Sequence, residues 1–134
     1  MITALHHIGI AVESIEASLP RWTEGLGLPL HSIEEVESEG VKVAVVMVGE
    51  VRVELLEPTG PDSAVARFLD KRGPGIHHLA FAVDSTGEMI EVLIEAEAPV
   101  LDKEPRVGAD GTKVAFMHPS FLGGVLAEFV EELK

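Results

Sequence analysis

Two stretches of the chain have nearly the same sequence, and together they decide the fold. "LHHIGIAVES" occupies residues 5–14 and "IHHLAFAVDS" occupies residues 76–85. Their second histidines, His7 and His78, are 71 residues apart, and the same offset relates "GVKVAVV" at 40–46 to "GTKVAFM" at 111–117. Two copies are too few for a solenoid, so the repeat indicates a duplicated module.

Each copy shows the same order of elements, a strand, a helix and then three strands. The first helix contains Pro20, where we expect a kink or a late start. The second begins at Ser85 with Glu88 three residues later, the spacing of a capping box. Between the copies, a short capped helix is predicted over 63–71. The strands of the first copy are expected at 5–12, 30–36, 41–48 and 51–57, and the second copy starts with a strand at 76–83.

The composition excludes several classes of protein. The chain has 134 residues, 46% of them apolar, enough for one domain with a core. A formal net charge of −13 disfavours nucleic acid as a partner. The absence of cysteine excludes disulfides, thiolate metal sites and a cysteine nucleophile. Neither a membrane span nor a signal peptide is evident, so we expect no membrane partner and a cytoplasmic protein.

The repeated strand presents one histidine to each of its faces, because side chains alternate along a strand. His6 and His77 fall on the face with bulky apolar residues, which should pack under a helix, and we interpret them as structural. The other face carries a histidine followed only by small residues, which leaves room beside the imidazole. Its members are His7, Gly9 and Ala11 in the first copy and His78, Ala80 and Ala82 in the second. His7 and His78 are therefore the candidate ligands.

A carboxylate in the middle of a later strand completes each copy. Glu54 lies in "VRVELLEP" and Glu128 in "GVLAEFVE". Glu54 alone would be expected to point to water, whereas Glu128, between Ala127 and Phe129, is less suited to a surface position. Because the same pairing of His and Glu occurs twice, we expect one shared site. Two imidazoles and two carboxylates suit a divalent transition metal with open positions for water or substrate.

These residues and the motifs around them resemble those of a known family. The chain resembles the vicinal oxygen chelate superfamily and, within it, the methylmalonyl-CoA epimerases, over essentially its whole length. The segments that carry the resemblance are "HHIGIAV", "GVKVAVVMVG", "ELLEP", "DSAVARFL", "GPGIHHLAFAVD", "PRVGADG", "AFMHP" and "GVLAEFVE". The fold implied is α+β, with two tandem βαβββ modules forming a curved eight-stranded mixed sheet around a metal site. We expect a single domain over 1–134, with module one at about 1–60, a linker helix at about 61–74 and module two at about 75–134.

The resemblance implies a metal-dependent epimerase that interconverts the 2R and 2S forms of methylmalonyl-CoA through an enolate. It puts the metal ligands on His7, Glu54, His78 and Glu128, and the ion would be Co, Zn, Ni, Mn or Mg. Glu128, a ligand that can also touch substrate, is the implied base. The chain departs from some family members at Val43, where they have a second catalytic glutamate. Family membership also implies a homodimer.

An acyl-CoA substrate brings phosphates to an acidic protein, so a local basic patch is expected. The candidates for substrate binding are Arg67, Lys71, Arg106 and His118, with Arg72, Lys103 and Lys113 as further cations near them. His118, just before Pro119, could be a proton shuttle, although a structural strand end is the plainer interpretation.

Three other functions stay open on the sequence alone. A glyoxalase I-type lyase would use the same ligand types on a glutathione hemithioacetal. A ring-cleaving dioxygenase would have two histidines and one carboxylate around iron, one carboxylate fewer than this chain supplies. A metal-free small-molecule binding protein of the same fold would not need the four ligand residues.

Overall fold

The computed structural model describes residues 1–133 of the chain. This part contains eight strands and three α-helices, with short π- and 3₁₀-helical turns between them. The strands are β1 (Ile2–Ala11), β2 (Leu30–Val36), β3 (Val41–Val48), β4 (Val51–Pro58), β5 (Gly75–Val83), β6 (Arg106–Val107), β7 (Lys113–Met117) and β8 (Ala127–Glu131). The helices are α1 (Ile15–Pro20), α2 (Ala64–Arg72) and α3 (Thr86–Glu95).

The strands form one mixed sheet in the order β2-β3-β4-β1-β5-β8-β7-β6. β1 is parallel to β4 and β5 is parallel to β8. The remaining pairs for which we describe a register, β2 with β3, β3 with β4, β6 with β7 and β7 with β8, are antiparallel. The predicted α+β class, two βαβββ copies and eight-stranded mixed sheet are confirmed.

The chain divides into two compact units. The first unit is His7–His77, and it includes α2. The second unit is Met1–His6 together with the chain from His78 onward. β1 belongs to both, because its first five residues lie in the second unit and its remaining residues in the first.

A serine begins each of the three α-helices. Ser14 accepts a hydrogen bond from the backbone N–H of Ala17, Ser63 from that of Ala66, and Ser85 from that of Glu88. These side chains satisfy backbone donors that the first turn of a helix leaves without partners. The predicted bounds of α2 and the predicted start of α3 are thereby confirmed to within one residue.

Pro20 changes the first helix, but at its end. α1 begins directly after its Ser14 cap, so the helix has no late start. The chain continues as a π-helical turn over Arg21–Gly25, in which the N–H of Leu26 bonds to the carbonyl of Arg21. Proline has no N–H to donate to the preceding turn, so the regular hydrogen-bond ladder stops where the sequence indicated a disturbance.

Each unit packs its helix against one face of its strands. In the first unit, Ile15 of α1 packs with Val12, Ala44 and Leu55. In the second unit, Met89 and Leu93 of α3 pack with Val83, Met117 and Phe129. On the other face of the first unit, Ala11, Val43 and Leu56 cluster with Val65 of α2. In β1 and β5 the expected division is confirmed, because Ile10, Val12, Phe81 and Val83 pack with α1 or α3 whereas Ala11 and Ala80 belong to clusters on the other face. In the first unit that other face also carries larger residues of β3 and β4, which pack against α2.

The short hairpin of β6 and β7 depends on a glycine. A Cβ atom at Gly108 would lie 2.7 Å from Val114 Cγ1 and 2.8 Å from Thr112 Oγ1. Only glycine permits so close an approach, which lets the 3₁₀ turn Ala109–Gly111 connect β6 to β7. Among residues 1–133, no helix is long and apolar enough to cross a membrane.

Candidate active site

The first unit brings His7 and Glu54 together. β1 and β4 are parallel neighbours, and Gly9 pairs with Glu54, so His7 and Glu54 point to the same face. His7 Nδ1 lies 3.3 Å from Glu54 Oε2. Both residues are buried, with 4% and 8% of their surface exposed. A carboxylate that would be expected in water if it stood alone is thus held inside the protein beside an imidazole.

The second unit repeats this arrangement with His78 and Glu128. β5 and β8 are parallel, and Ala80 pairs with Glu128 as Gly9 pairs with Glu54. His78 Nε2 lies 3.0 Å from Glu128 Oε1, and both residues are buried. The face of a unit's strands that carries its His–Glu pair is called here the site face of that unit.

The geometry of each pair fits a bound metal ion. Two ligand atoms about 2.1 Å from one ion, at tetrahedral or right angles, lie about 3.0–3.4 Å apart. The two His–Glu separations fall in this range, as they would for a hydrogen-bonded ion pair. Buried carboxylates are costly unless paired or coordinated. His7, Glu54, His78 and Glu128 all belong to groups of buried His and Glu side chains that could hold an ion, and so does His6, which was interpreted from the sequence as structural. Their oxygen and nitrogen donors suit a divalent metal.

Each strand that carries a ligand candidate is tied to the start of the helix on its other face. Glu57 Oε1 accepts a hydrogen bond from the N–H of Ile15 at 2.7 Å, and Glu131 Oε1 accepts one from the N–H of Thr86 at 2.8 Å. Each of these glutamates stands three residues after a ligand candidate, on the opposite face. Sequence reasoning missed them, although the E-x-x-E pattern occurs at the same place in both copies.

Arg106 lies on the site face of the second unit. It pairs in register with Val114, which in turn pairs with Val130, two residues from Glu128. Its Nε is 2.9 Å from Asp102 Oδ1, and its guanidinium carbon lies 5.5 Å from the centroid of the Phe116 ring.

Phe116 connects Arg106 to the His–Glu pair. It stands opposite Glu128 in the register and makes an edge-on contact with His78, with ring centroids 5.8 Å apart. Asp102 Oδ2 accepts the backbone N–H of Phe116 at 2.8 Å, so the same carboxylate holds both the strand and the guanidinium. A cation therefore lies on the site face of this unit, against the same phenylalanine ring that contacts His78.

The other basic candidates differ in their surroundings. Arg67 and Lys71 are exposed on α2, and Arg67 donates a hydrogen bond to the carbonyl of Asp62. His118 is exposed and acts as a cap, since its Nδ1 accepts the backbone N–H of Ser120 at 3.0 Å. Lys113 pairs with Glu131, on the face away from Glu128, so it does not belong to the basic patch expected from the sequence.

His6 and His77, which directly precede the candidate ligands His7 and His78 in the sequence, contact other parts of their units. His6 Nε2 lies 3.6 Å from Glu132 Oε1. The His77 ring makes an edge-on contact with Phe68 of α2, with centroids 5.0 Å apart, and Arg72 lies over the same phenylalanine.

The superfamily follows from comparison with known proteins. The chain belongs to the glyoxalase/bleomycin resistance protein/dioxygenase superfamily, whose family model matches residues 6–116. It is 36% identical over 130 residues to an ethylmalonyl-CoA/methylmalonyl-CoA epimerase of Cereibacter sphaeroides, covering 96% of this chain and 97% of that protein. It is 42% identical over 127 residues to a Bacillus subtilis protein described as uncharacterized, covering 95% and 91%.

A solved structure gives the same result. A variant of methylmalonyl-CoA epimerase from Streptomyces coelicolor, in complex with 2-nitronate-propionyl-CoA, matches this fold with a TM-score of 0.96. The two sequences are 33% identical, and the match covers 100% of each chain. The resemblance read from the sequence motifs is confirmed.

Proposed function

We propose that this protein is a metal-dependent epimerase that interconverts the 2R and 2S forms of methylmalonyl-CoA through an enolate. The observation that carries the proposal is the buried His–Glu pair, present at equivalent positions in both copies of the module. The full-length similarity to proteins named as epimerases of this substrate supports it. A glyoxalase I-type lyase and a metal-free binding protein of the same fold are the less favoured alternatives.

His7, Glu54, His78 and Glu128 would together hold one divalent ion, which would be Co, Zn, Ni, Mn or Mg. The duplicated geometry supports this ligand set, since each pair has the separation of two ligands on one ion. When bound, the ion would stabilise negative charge developing on the thioester and carboxylate oxygens of the substrate. Two carboxylates would balance the charge of the ion.

Glu128 is the proposed catalytic base. Its carboxylate would remove the proton from the carbon between the thioester and the carboxylate of the substrate. A positioned base contributes on the order of 10²–10⁴ in rate. The burial of Glu128 between Phe116 and Ala80 supports this role, because it holds the carboxylate in one position on the site face.

Arg106 is the proposed binding group for the anionic substrate. With a formal net charge of −13, the protein repels an acyl-CoA at long range, so a fixed local cation is needed. Arg106 is held beside the site face by Asp102 and Phe116, and a guanidinium is well suited to carboxylate and phosphate oxygens. Arg67 and Lys71 of α2 would contact the CoA phosphates, and His118 is a weaker candidate because its imidazole caps a turn.

We also propose that the protein acts in the cytoplasm as a homodimer, on the strength of its resemblance to this family. Light scattering on a size-exclusion column distinguishes a dimer near twice the 14.3 kDa chain mass from a monomer.

The proposed reaction is tested by incubating metal-loaded protein with (2S)-methylmalonyl-CoA and following formation of the 2R form. The hemithioacetal of glutathione and methylglyoxal is the parallel substrate. We expect epimerisation of the first and no turnover of the second. Turnover of the hemithioacetal alone would favour the lyase, and turnover of neither by metal-loaded protein would favour a binding protein.

A further inference from the structure

The outermost strand of each copy carries one ionisable side chain on the site face of its unit. In β6 this residue is Arg106, directly opposite Val114. In β2 it is Glu34, directly opposite Val43. Val43 and Val114 are equivalent, since they are separated by the same 71 residues as His7 and His78. Glu34 therefore occupies in the first copy the position that Arg106 occupies in the second.

The register connects Glu34 to the ligand candidate of its own unit. One row of residues paired across adjacent strands consists of Glu34, Val43, Leu56 and Ala11. The next row consists of Ser32, Val45 and Glu54. Residues directly opposite one another in adjacent strands point to the same face. Glu34 and Glu54 thus share the site face. The strands that carry them, β2 and β4, are two strand spacings apart, or roughly 10 Å.

The surroundings of Glu34 are those of a functional carboxylate more than of a surface one. It is half-buried, while the next residue, Glu35, is exposed on the opposite face of β2. Its direct neighbour Val43 is only 3% exposed and belongs to an apolar cluster with Val41 and Leu56. Glu34 is thus an acidic residue placed by the register next to apolar side chains on the site face.

Ser32 provides a second observation on the same face. Its hydroxyl oxygen is buried and, among the described residues, has no hydrogen-bond partner. Buried hydroxyl groups are rarely left without a partner in folded proteins. A polar group from outside the chain, such as substrate or water, would provide a hydrogen-bond partner for this hydroxyl. Ser32 is in register with Val45 and Glu54, so we expect a ligand on the site face near Ser32.

Epimerisation requires two proton-transfer groups, because the proton leaves one face of the carbon and returns to the other. Glu128 supplies one of them in the proposed function. In the first unit, the described carboxylates on the site face include Glu54, already used as a ligand, and Glu34. Glu34 is thus the side chain with the chemistry and the placement for the second group.

We propose that Glu34 is the acid/base that acts on the face of the substrate carbon opposite Glu128. The proposal rests on the proposed function. In one direction, Glu128 takes the proton as the C–H bond breaks, and the electron pair passes into the enolate. A new C–H bond then forms with the proton of the Glu34 carboxyl group, which becomes a carboxylate. Both groups regain their starting states by proton exchange with water, and no oxidant or reductant is required.

The test compares Glu34→Gln with Glu35→Gln, an adjacent change on the exposed face. Each pure epimer of methylmalonyl-CoA is incubated in D₂O with metal-loaded protein, and NMR follows both deuterium uptake and inversion. For Glu34→Gln we expect inversion to fall by about 10²–10⁴-fold. One epimer should still take up deuterium without inverting, because Glu128 remains active on its face, while the other epimer becomes inert. Glu35→Gln should match the wild type.

Each result is decisive. Inversion by Glu34→Gln within about threefold of the wild type would overturn the assignment, as would loss of deuterium uptake from both epimers in a variant with unchanged metal content. If the wild type itself shows neither uptake nor inversion, the proposed function fails and the inference falls with it. If the wild type shows both deuterium uptake and inversion and Glu34→Gln behaves the same way, the role of Glu34 is contradicted while the proposed function stands.

Discussion

Glu131 Oε1 accepts a hydrogen bond from the backbone N–H of Thr86 at 2.8 Å, which joins the strand of Glu128 to the first turn of α3. Glu57 and Ile15 repeat the contact in the other copy. The two carboxylates of an E-x-x-E segment therefore act on opposite faces of one strand. The first is a ligand candidate, and the second fixes the strand that carries it.

Removal of this contact should cost stability. For Glu131→Ala we expect the free energy of unfolding to fall by about 1–2 kcal/mol, since a charge-assisted cap is lost and the N–H of Thr86 loses its acceptor. Urea denaturation measures the change. The matched control is Glu91→Ala, an exposed position of α3, which should lie within about 0.5 kcal/mol of the wild type. Equal values for the two variants would contradict the role of Glu131.

The two histidines should each be required for metal binding. We expect His7→Ala and His78→Ala to abolish the stabilisation that the wild type gains from added ion, about 2.7 kcal/mol at an ion concentration near 100 times Kd. His31→Ala, an exposed position of β2, is the control and should keep the full effect. Stabilisation that survives in either active-site variant would show that the two His–Glu pairs do not share one ion.

Arg106 should govern substrate binding more than chemistry. For Arg106→Ala we expect KM for the acyl-CoA to rise about tenfold, equivalent to about 1.4 kcal/mol, with kcat changed less than threefold. Lys113, an exposed cation on the face away from Glu128, serves as the control, since Lys113→Ala should change neither constant much. A fall in kcat at unchanged KM would instead assign Arg106 to the reaction itself.

The sequence predicted much of the fold because the information was local or repeated. Alternation along "LHHIGIAVES" was enough to put His7 on the face that carries Glu54, and a serine before an apolar periodic segment marked α3. The duplication then provided a second observation of each pattern. An isolated histidine or glutamate would have stayed ambiguous, as Glu54 shows.

The remainder depended on which residues face one another across strands. The positions of Glu34 and Arg106 follow from the register of β2 and β6, and a bulge between Leu30 and Ser32 shifts that register. No local pattern specifies such a shift. Lys113 was counted among the cations of the expected basic patch for the same reason, since its surroundings depend on pairing with Glu131.

Val43→Glu tests whether the site lacks an acid. Val43 is 3% exposed within an apolar cluster, so a carboxylate there should destabilise the protein by about 2 kcal/mol or more. We expect no gain in epimerisation, because Glu34 already supplies the second group. Val43→Leu separates the effect of size from that of charge in urea denaturation. A faster variant would mean that the opposite-face acid is missing from the native chain.

The central claim is that Glu128 removes a proton from methylmalonyl-CoA at a metal site. The most direct measurement is NMR of the substrate α-proton in D₂O, with metal-loaded wild type, chelator-treated wild type and metal-loaded Glu128→Gln. We expect rapid exchange by the loaded wild type, loss of exchange with chelator and recovery on adding the ion back. Glu128→Gln keeps an oxygen ligand but loses basicity, so exchange from the epimer it serves should fall by about 10²–10⁴, or about 3–5 kcal/mol at the transition state. Exchange that is unaffected by chelator, or unchanged in metal-loaded Glu128→Gln, would contradict the claim.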